Sequence, residues 1–241
     1  MSRTLALLRL DVRNLVRDPM LLLITCLPVL VAILMRFLVP FLSGLLMDHL
    51  NFDLSPYYPL ITSFFFMLAP MMYGWVIGFM LLDERDENIL EYISVTPLGK
   101  TGFLSYRMGL PVLLSFAMAF VLVAVIGLVP FSLLHILPAA LLAALEAPIV
   151  ALFLAGFAGN KVEGLALGKG MGTAFLAPLA ALFIPVPFQY LAGVLPPYWV
   201  AKLFIEPHPV PWIQVLLITA GLVIHAFWLI LMLRKFNRRL G

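Results

Sequence analysis

The chain has 241 residues, 63% of them hydrophobic and 11% charged, with a net charge of +3, and its mean hydropathy is +1.10. A soluble domain is typically about 45–50% apolar and about 25% charged, so these values exclude a soluble globular protein and leave a polytopic membrane protein. The basic residues sit at the edges of apolar runs rather than in one patch, which excludes a nucleic-acid surface, and the single cysteine, Cys26, excludes an intrachain disulfide.

Residues 2–17 predict an amphipathic helix. Arg9, Arg13 and Arg17 recur at i, i+4 and i+8, and Leu5, Leu8, Val12 and Leu15 gather on a neighbouring face. Such a helix lies in the membrane interface, its arginines at the phosphates. Four arginines and two aspartates precede any apolar run, so the segment does not read as a signal peptide. Asp18-Pro19 ends it and places proline in the first turn of the next helix.

A helix of about 20 apolar residues crosses a bilayer. The first span is expected over 20–46, with Arg36 in its outer half, and the following loop carries Asp48 and Asp53 but no Lys or Arg. The second span, 58–82, is rich in methionine and aromatics. Methionine repacks around varied shapes, so Met71 and Met72 are candidates for an apolar path, although helix- or lipid-facing packing is the commoner use.

Residues 83–107 form the longest water-soluble run between apolar segments. A helix would put Glu84, Glu87 and Glu91 in one stripe, with Ile89 and Ile93 on the opposite side and Leu90 on the flank. Thr96-Pro97 stops it, because the residue before proline is pushed out of the α region. Two readings stay open: a short amphipathic helix presented to a partner, or a solvated loop on the headgroups.

The third span is expected over 102–129, and the fourth over 133–158 with Glu146 inside it. A second polar connection, 159–170, precedes a fifth span starting near Met171. Within it, 164–170 superficially looks like a phosphate loop but has the wrong glycine spacing and Gly170 where Ser or Thr would hold Mg²⁺. Seven prolines between 185 and 211 leave room only for short helical pieces, near 188–194 and 198–205. Non-helical backbone at membrane depth needs cover from protein or a water-filled cavity. The last span, 212–233, is followed by Arg234, Lys235, Arg238 and Arg239. With six spans, 13 of the 15 basic residues fall on one side, which places both termini in the cytoplasm; Lys202 falls on the other side.

Arg36 and Glu146 are the intramembrane charges. Leaving one unpaired in hydrocarbon costs at least about 2.5–3.5 kcal/mol, so each faces the protein interior or a cavity. They pair with each other, or Arg36 snorkels outward and Glu146 is the functional group. His135 and His225 lack metal-ligand spacing and read as interfacial or packing residues. Tyr57, Tyr58, Tyr198, Trp199 and Trp212 read as an outer aromatic belt. No nucleophile–base or paired-carboxylate arrangement points to an enzyme.

The order Glu84-Arg85-Asp86-Glu87, Ile89-Leu90-Glu91-Tyr92, Thr96-Pro97-Leu98, then Tyr106-Arg107 resembles the first cytoplasmic loop of ABC type-2 export permeases. Asn160 to Gly164, reading NKVEG, is similar to the second cytoplasmic connection of their drug- and antimicrobial-export branch. The resemblance implies an all-α membrane protein with one transmembrane domain over 1–241: an elbow helix at 1–19, six spans, a coupling-helix loop at 83–101 and re-entrant helices at 185–211. It implies that Glu84, Glu87, Ile89, Leu90, Glu91, Ile93, Thr96 and Pro97 meet a separate ABC ATPase, present in two copies. It also implies a second contact at Asn160, Lys161 and Glu163, and a path involving Arg36, Glu146, Met71 and Met72. This chain would bind no cofactor; ATP and Mg²⁺ would sit on the partner. A second permease copy or a related one would complete the path in a prokaryotic inner membrane. The expected cargo is amphipathic or apolar: a drug, a peptide or a lipid. Alternatives are an ion-coupled transporter, which usually needs more intramembrane ionisable groups, and a membrane immunity or scaffold protein.

Overall fold

The computed structural model describes residues 19–94, 99–130, 132–205 and 210–240. The expected elbow helix, Thr96 and Pro97 lie outside these residues. The described chain is helical, without a strand among the described residues. The helices are α1 (Pro19–Leu50), α2 (Tyr58–Asp86), α3 (Ile89–Ser94), α4 (Gly99–Ile126) and α5 (Leu133–Phe157). Then come α6 (Lys161–Met171), α7 (Ala177–Phe183), α8 (Pro196–Ile205) and α9 (Pro211–Leu240). Among the described residues, six helical stretches are long and apolar enough to cross a membrane: Cys26–Leu50, Ser55–Asp86, Gly102–Ile126, Leu133–Phe157, Lys161–Phe183 and Pro211–Arg239. Six spans agree with the sequence, because length and hydropathy alone set that signal.

Two boundaries differ from expectation. Residues 84–93 are not one helix. Asn88 adopts φ +56°, a left-handed conformation that asparagine tolerates at a helix end, and α2 stops there. Glu84 therefore belongs to α2 and Glu91 to α3, and the carboxylate stripe does not form. Residues 161–170 are not a polar connection either. Asn160 Oδ1 accepts from the Glu163 N–H at 3.0 Å, while Glu163 Oε2 accepts from the Gly159 N–H at 2.7 Å. This reciprocal cap starts α6 ten residues before the predicted span. The glycines that look like loop residues serve contact: added Cβ atoms at Gly164 and Gly168 would lie 3.0 Å from the Phe79 ring and 3.2 Å from the Trp75 ring of α2.

The bundle is built around α5, which packs against α2, α4, α8 and α9. Its sequence explains this position. Alanines 139, 140, 143, 144, 147, 151 and 155 are all buried, and small side chains let neighbouring backbones approach closely in a membrane. Opposite them, Gly74 and Gly78 of α2 are so close that an added Cβ would lie 2.6 Å from Val150 Cβ and 2.9 Å from Leu154 Cδ1.

The proline-dense region holds a 3-10 segment, Phe188–Val194, and α8, close to the two pieces the prolines allow. α8 is a core element, with Tyr198, Val200, Leu203 and Phe204 buried. Its polar groups are satisfied internally: the Tyr198 hydroxyl donates to Gln189 Oε1 at 3.0 Å and Trp199 Nε1 to the Gly193 carbonyl at 2.7 Å. Tyr198 and Trp199 are therefore packing residues rather than belt residues; exposed Trp212 keeps the belt position. Lys202, expected on an outer surface, is buried as well.

Candidate functional site

Halfway along α5 the sequence places the carboxyl of Glu146 among alanines. Its side chain is 3% exposed and lies 3.9 Å from Nε2 of His225, itself fully buried on α9. Among the described residues, neither Glu146 oxygen nor His225 Nε2 has a hydrogen-bond partner. The imidazole is oriented from its other side, where Nδ1 meets the Gly221 carbonyl at 2.8 Å. That contact makes Nδ1 the N–H donor and aims Nε2 at the carboxyl. Gly221 permits the approach, since a Cβ there would lie 2.5 Å from Leu142 Cδ1 of α5.

Glu146 also lines a cavity of about 340 Å³ between α5, α6, the start of α8 and α9. Ile149, Phe153, Leu167, Phe175, Trp228 and Met232 contribute to its wall, and Glu146 is its one ionisable lining residue among those described. Trp228 Nε1 donates to the Val194 carbonyl at 2.8 Å, tying α9 to the segment before α8. An apolar cavity with one carboxyl suits an amphipathic guest.

Arg36 does not pair with Glu146. Its Nη1 donates to the Val125 carbonyl at 3.0 Å, in the last turn of α4, where carbonyls lack intrahelical partners. The arginine thus caps the end of α4. Met71 and Met72 are partly exposed on α2 and do not line the cavity.

The ends of α2, α5 and α9 and the start of α6 meet at a second polar site. Arg85 Nη1 donates to the carbonyls of Ala155 at 3.3 Å and Ala158 at 3.0 Å, and Nη2 donates to Gly159 at 2.7 Å. Arg239 of α9 donates to the same Ala158 carbonyl. Cations there complement the dipole at the C-terminus of α5. Lys161 Nζ lies 2.8 Å from Asp83 Oδ1. Glu84, expected to be exposed, is buried in an ion pair with Arg107 of α4; α2 turns that face toward α4 before Asn88 ends the helix.

Asn160 and Glu163 are thus engaged in a cap and Lys161 in an ion pair. Glu87 is exposed at the α2–α3 break, Ile89 and Ile93 are half-buried on α3, and Tyr92 is 72% exposed between them. Leu90 and Glu91 belong to α3 by position; their side chains lie outside the described residues. Sequence reasoning missed His225. The available signal was its place at the midpoint of the last span, matching that of Glu146 in the fourth.

The model of a family described as "Fluoroquinolones export permease protein Rv2686c-like" matches residues 11–233. The fluoroquinolones export permease protein Rv2686c of Mycobacterium tuberculosis H37Rv is 31% identical over 199 residues, covering 81% of this chain and 79% of that protein. Protein MT2760 of strain CDC 1551, described in the same words, matches to the same extent. No solved structure matches the chain.

Proposed function

This chain belongs to the Rv2686c-like family of fluoroquinolones export permease proteins, and we propose that it is the membrane-spanning subunit of an ATP-driven exporter of drug-like amphipathic molecules. The observation that carries this reading is the apolar cavity on α5, whose wall helix is held at its far end by Arg85, four residues before α3 begins at Ile89. A partner that moves α3 would pull on the same helix that bears Glu146. In this reading the two termini and α3 face the cytoplasm, 185–211 is the re-entrant region of the outer half, and Tyr92, Glu87, Ile89, Leu90, Glu91 and Ile93 meet the ATPase. Thr96 and Pro97 meet it as well. ATP and Mg²⁺ bind the ATPase, two copies of which sit beneath two permeases in a prokaryotic inner membrane. The apolar exposed face of α1, with Phe37 and Phe41, faces lipid or the second permease.

The test is reconstitution with a co-expressed Walker-motif ATPase in vesicles. Fluoroquinolone movement that requires ATP hydrolysis and is insensitive to ionophores is expected. Movement driven by an ion gradient without ATP would overturn the reading. The specific observation favouring that second reading, an ion-coupled transporter, is the buried Glu146–His225 pair, since intramembrane ionisable groups commonly carry coupling ions.

A further inference from the structure

We propose that the cavity between α5, α6, α8 and α9 is a binding site for a lipophilic monocation, which takes the place of one proton held by Glu146 and His225. The inference deepens the export reading above by naming the charge class of the cargo.

The cavity wall is apolar apart from Glu146. From α6, α8 and α9 the lining side chains are uncharged, and His225 is the titratable group facing Glu146 from α9. Among the described side chains, the charged groups of α2 and α4, Asp83 to Asp86 at the end of α2 and Arg107 in the first third of α4, do not line the cavity, nor does Lys202 of α8. A lone carboxylate in such surroundings is costly, and the cost is removed when a proton or another cation accompanies it. With Nδ1–H committed to Gly221, the pair is neutral when it holds one further proton, on the carboxyl or on Nε2.

The carboxyl lies 3.9 Å from His225 Nε2, and Glu146 is also a lining residue of the cavity. Rotation about its own side-chain bonds carries it to the cavity. A hydrophobic cation entering there supplies the compensating charge and contacts Phe153, Phe175 and Trp228, whose ring faces attract cations. The displaced proton leaves to solvent. An uncharged guest leaves the proton in place, and an anion meets a site with no fixed cation. The cavity volume of about 340 Å³ suits a compact polycyclic cation.

The experiment uses the full chain in nanodiscs, with tetraphenylphosphonium as probe and tetraphenylborate as its anionic twin of similar size and shape. Empty nanodiscs provide the partition baseline. Expected results are saturable binding of the phosphonium, no competition by the borate, and release of about one proton per cation in weakly buffered solution. Glu146→Gln is expected to weaken phosphonium binding about 30-fold or more. His225→Gln is expected to retain charge selectivity with a shifted pH profile of proton release. Equal binding of both twins, binding without proton release, or full affinity in Glu146→Gln would overturn the proposal. Should Glu146→Gln fail to fold, the twin comparison and proton count on the wild-type chain decide alone. Charge-selective binding without ATP-driven transport would leave this site standing and remove the export reading; transport without charge selectivity would do the reverse.

Discussion

Arg85 of α2 and Ala158 at the end of α5 are joined by a 3.0 Å hydrogen bond, and Arg239 of α9 donates to the same carbonyl. One peptide oxygen thus gathers three spans. It lies at the end of the helix that carries Glu146, and Arg85 stands four residues before α3. The join connects the α2–α3 break to the cavity wall.

Replacing Arg85 by Met removes its bonds to Ala155, Ala158 and Gly159. Hydrogen bonds to a charged group contribute about 1.5–3 kcal/mol each at most, and this side chain is 17% exposed. A loss of about 2–3 kcal/mol is expected, read as a lower thermal midpoint in detergent, together with weaker coupling of ATP hydrolysis to transport. Lys161→Met, which breaks an ion pair whose partners are about half exposed, is expected to cost under about 1 kcal/mol. Equal losses in the two variants would refute the ranking.

The Glu84–Arg107 pair is buried. Removing one partner of a buried pair costs about 3–5 kcal/mol, whereas replacing both by apolar residues is often neutral. Glu84→Met should therefore lower thermal stability markedly, and Glu84→Met with Arg107→Leu should recover most of it. A double variant as unstable as the single one would show that the pair does more than neutralise itself.

Among the described side chains of α3, Tyr92 is the large exposed one. An aromatic anchor at a protein interface contributes about 2 kcal/mol or more when truncated to Ala. Tyr92→Ala, Leu90→Asp and Ile93→Asp are expected to leave the permease inserted and to release the ATPase on purification. Glu87→Lys should weaken the complex in a salt-dependent manner. Intact, coupled complexes in all four variants would remove α3 as the transmission element.

Topology is checked in a Cys26→Ala background. Asp53 is held by the Ser55 N–H at 2.9 Å and hydroxyl at 2.8 Å at an exposed helix entrance. Those hydrogen bonds lower its carboxyl below the usual value. Asp53→Cys should react with an impermeant thiol reagent from outside the cell, and Glu87→Cys only after permeabilisation. Labelling of Glu87→Cys in intact cells would invert the orientation. Lys202 is unsuitable for this test because it is buried.

Gly221→Val places a side chain against Leu142, where a Cβ alone would stand 2.5 Å away. Overpacking costs about 1–3 kcal/mol, and the displaced α9 should carry His225 away from Glu146. The expected readout is a lower thermal midpoint with reduced transport. A fully active, stable Gly221→Val would show that this approach of α9 is dispensable.

The sequence by itself determined the number of spans, the approximate limits of five of them and the short pieces between the prolines. Those features follow from bilayer thickness, continuous apolarity and the missing N–H of proline, all local along the chain. It also singled out Glu146, since a carboxyl amid alanines and leucines is conspicuous without coordinates. What only the tertiary structure decided is which groups meet. Glu146 faces His225 rather than Arg36 because Gly221 lets α9 touch α5, while the bare carbonyls ending α4 hold the arginine. Glu84 is buried because Asn88 ends α2 one residue after Glu87, leaving Glu84 on the side facing Arg107. Residues 161–170 are helical because two capping bonds and close glycine contacts outweigh their modest apolarity. Hydropathy measures a residue's affinity for lipid; it carries no information about which helix lies beside which, and that is set by the small residues through which backbones come into contact.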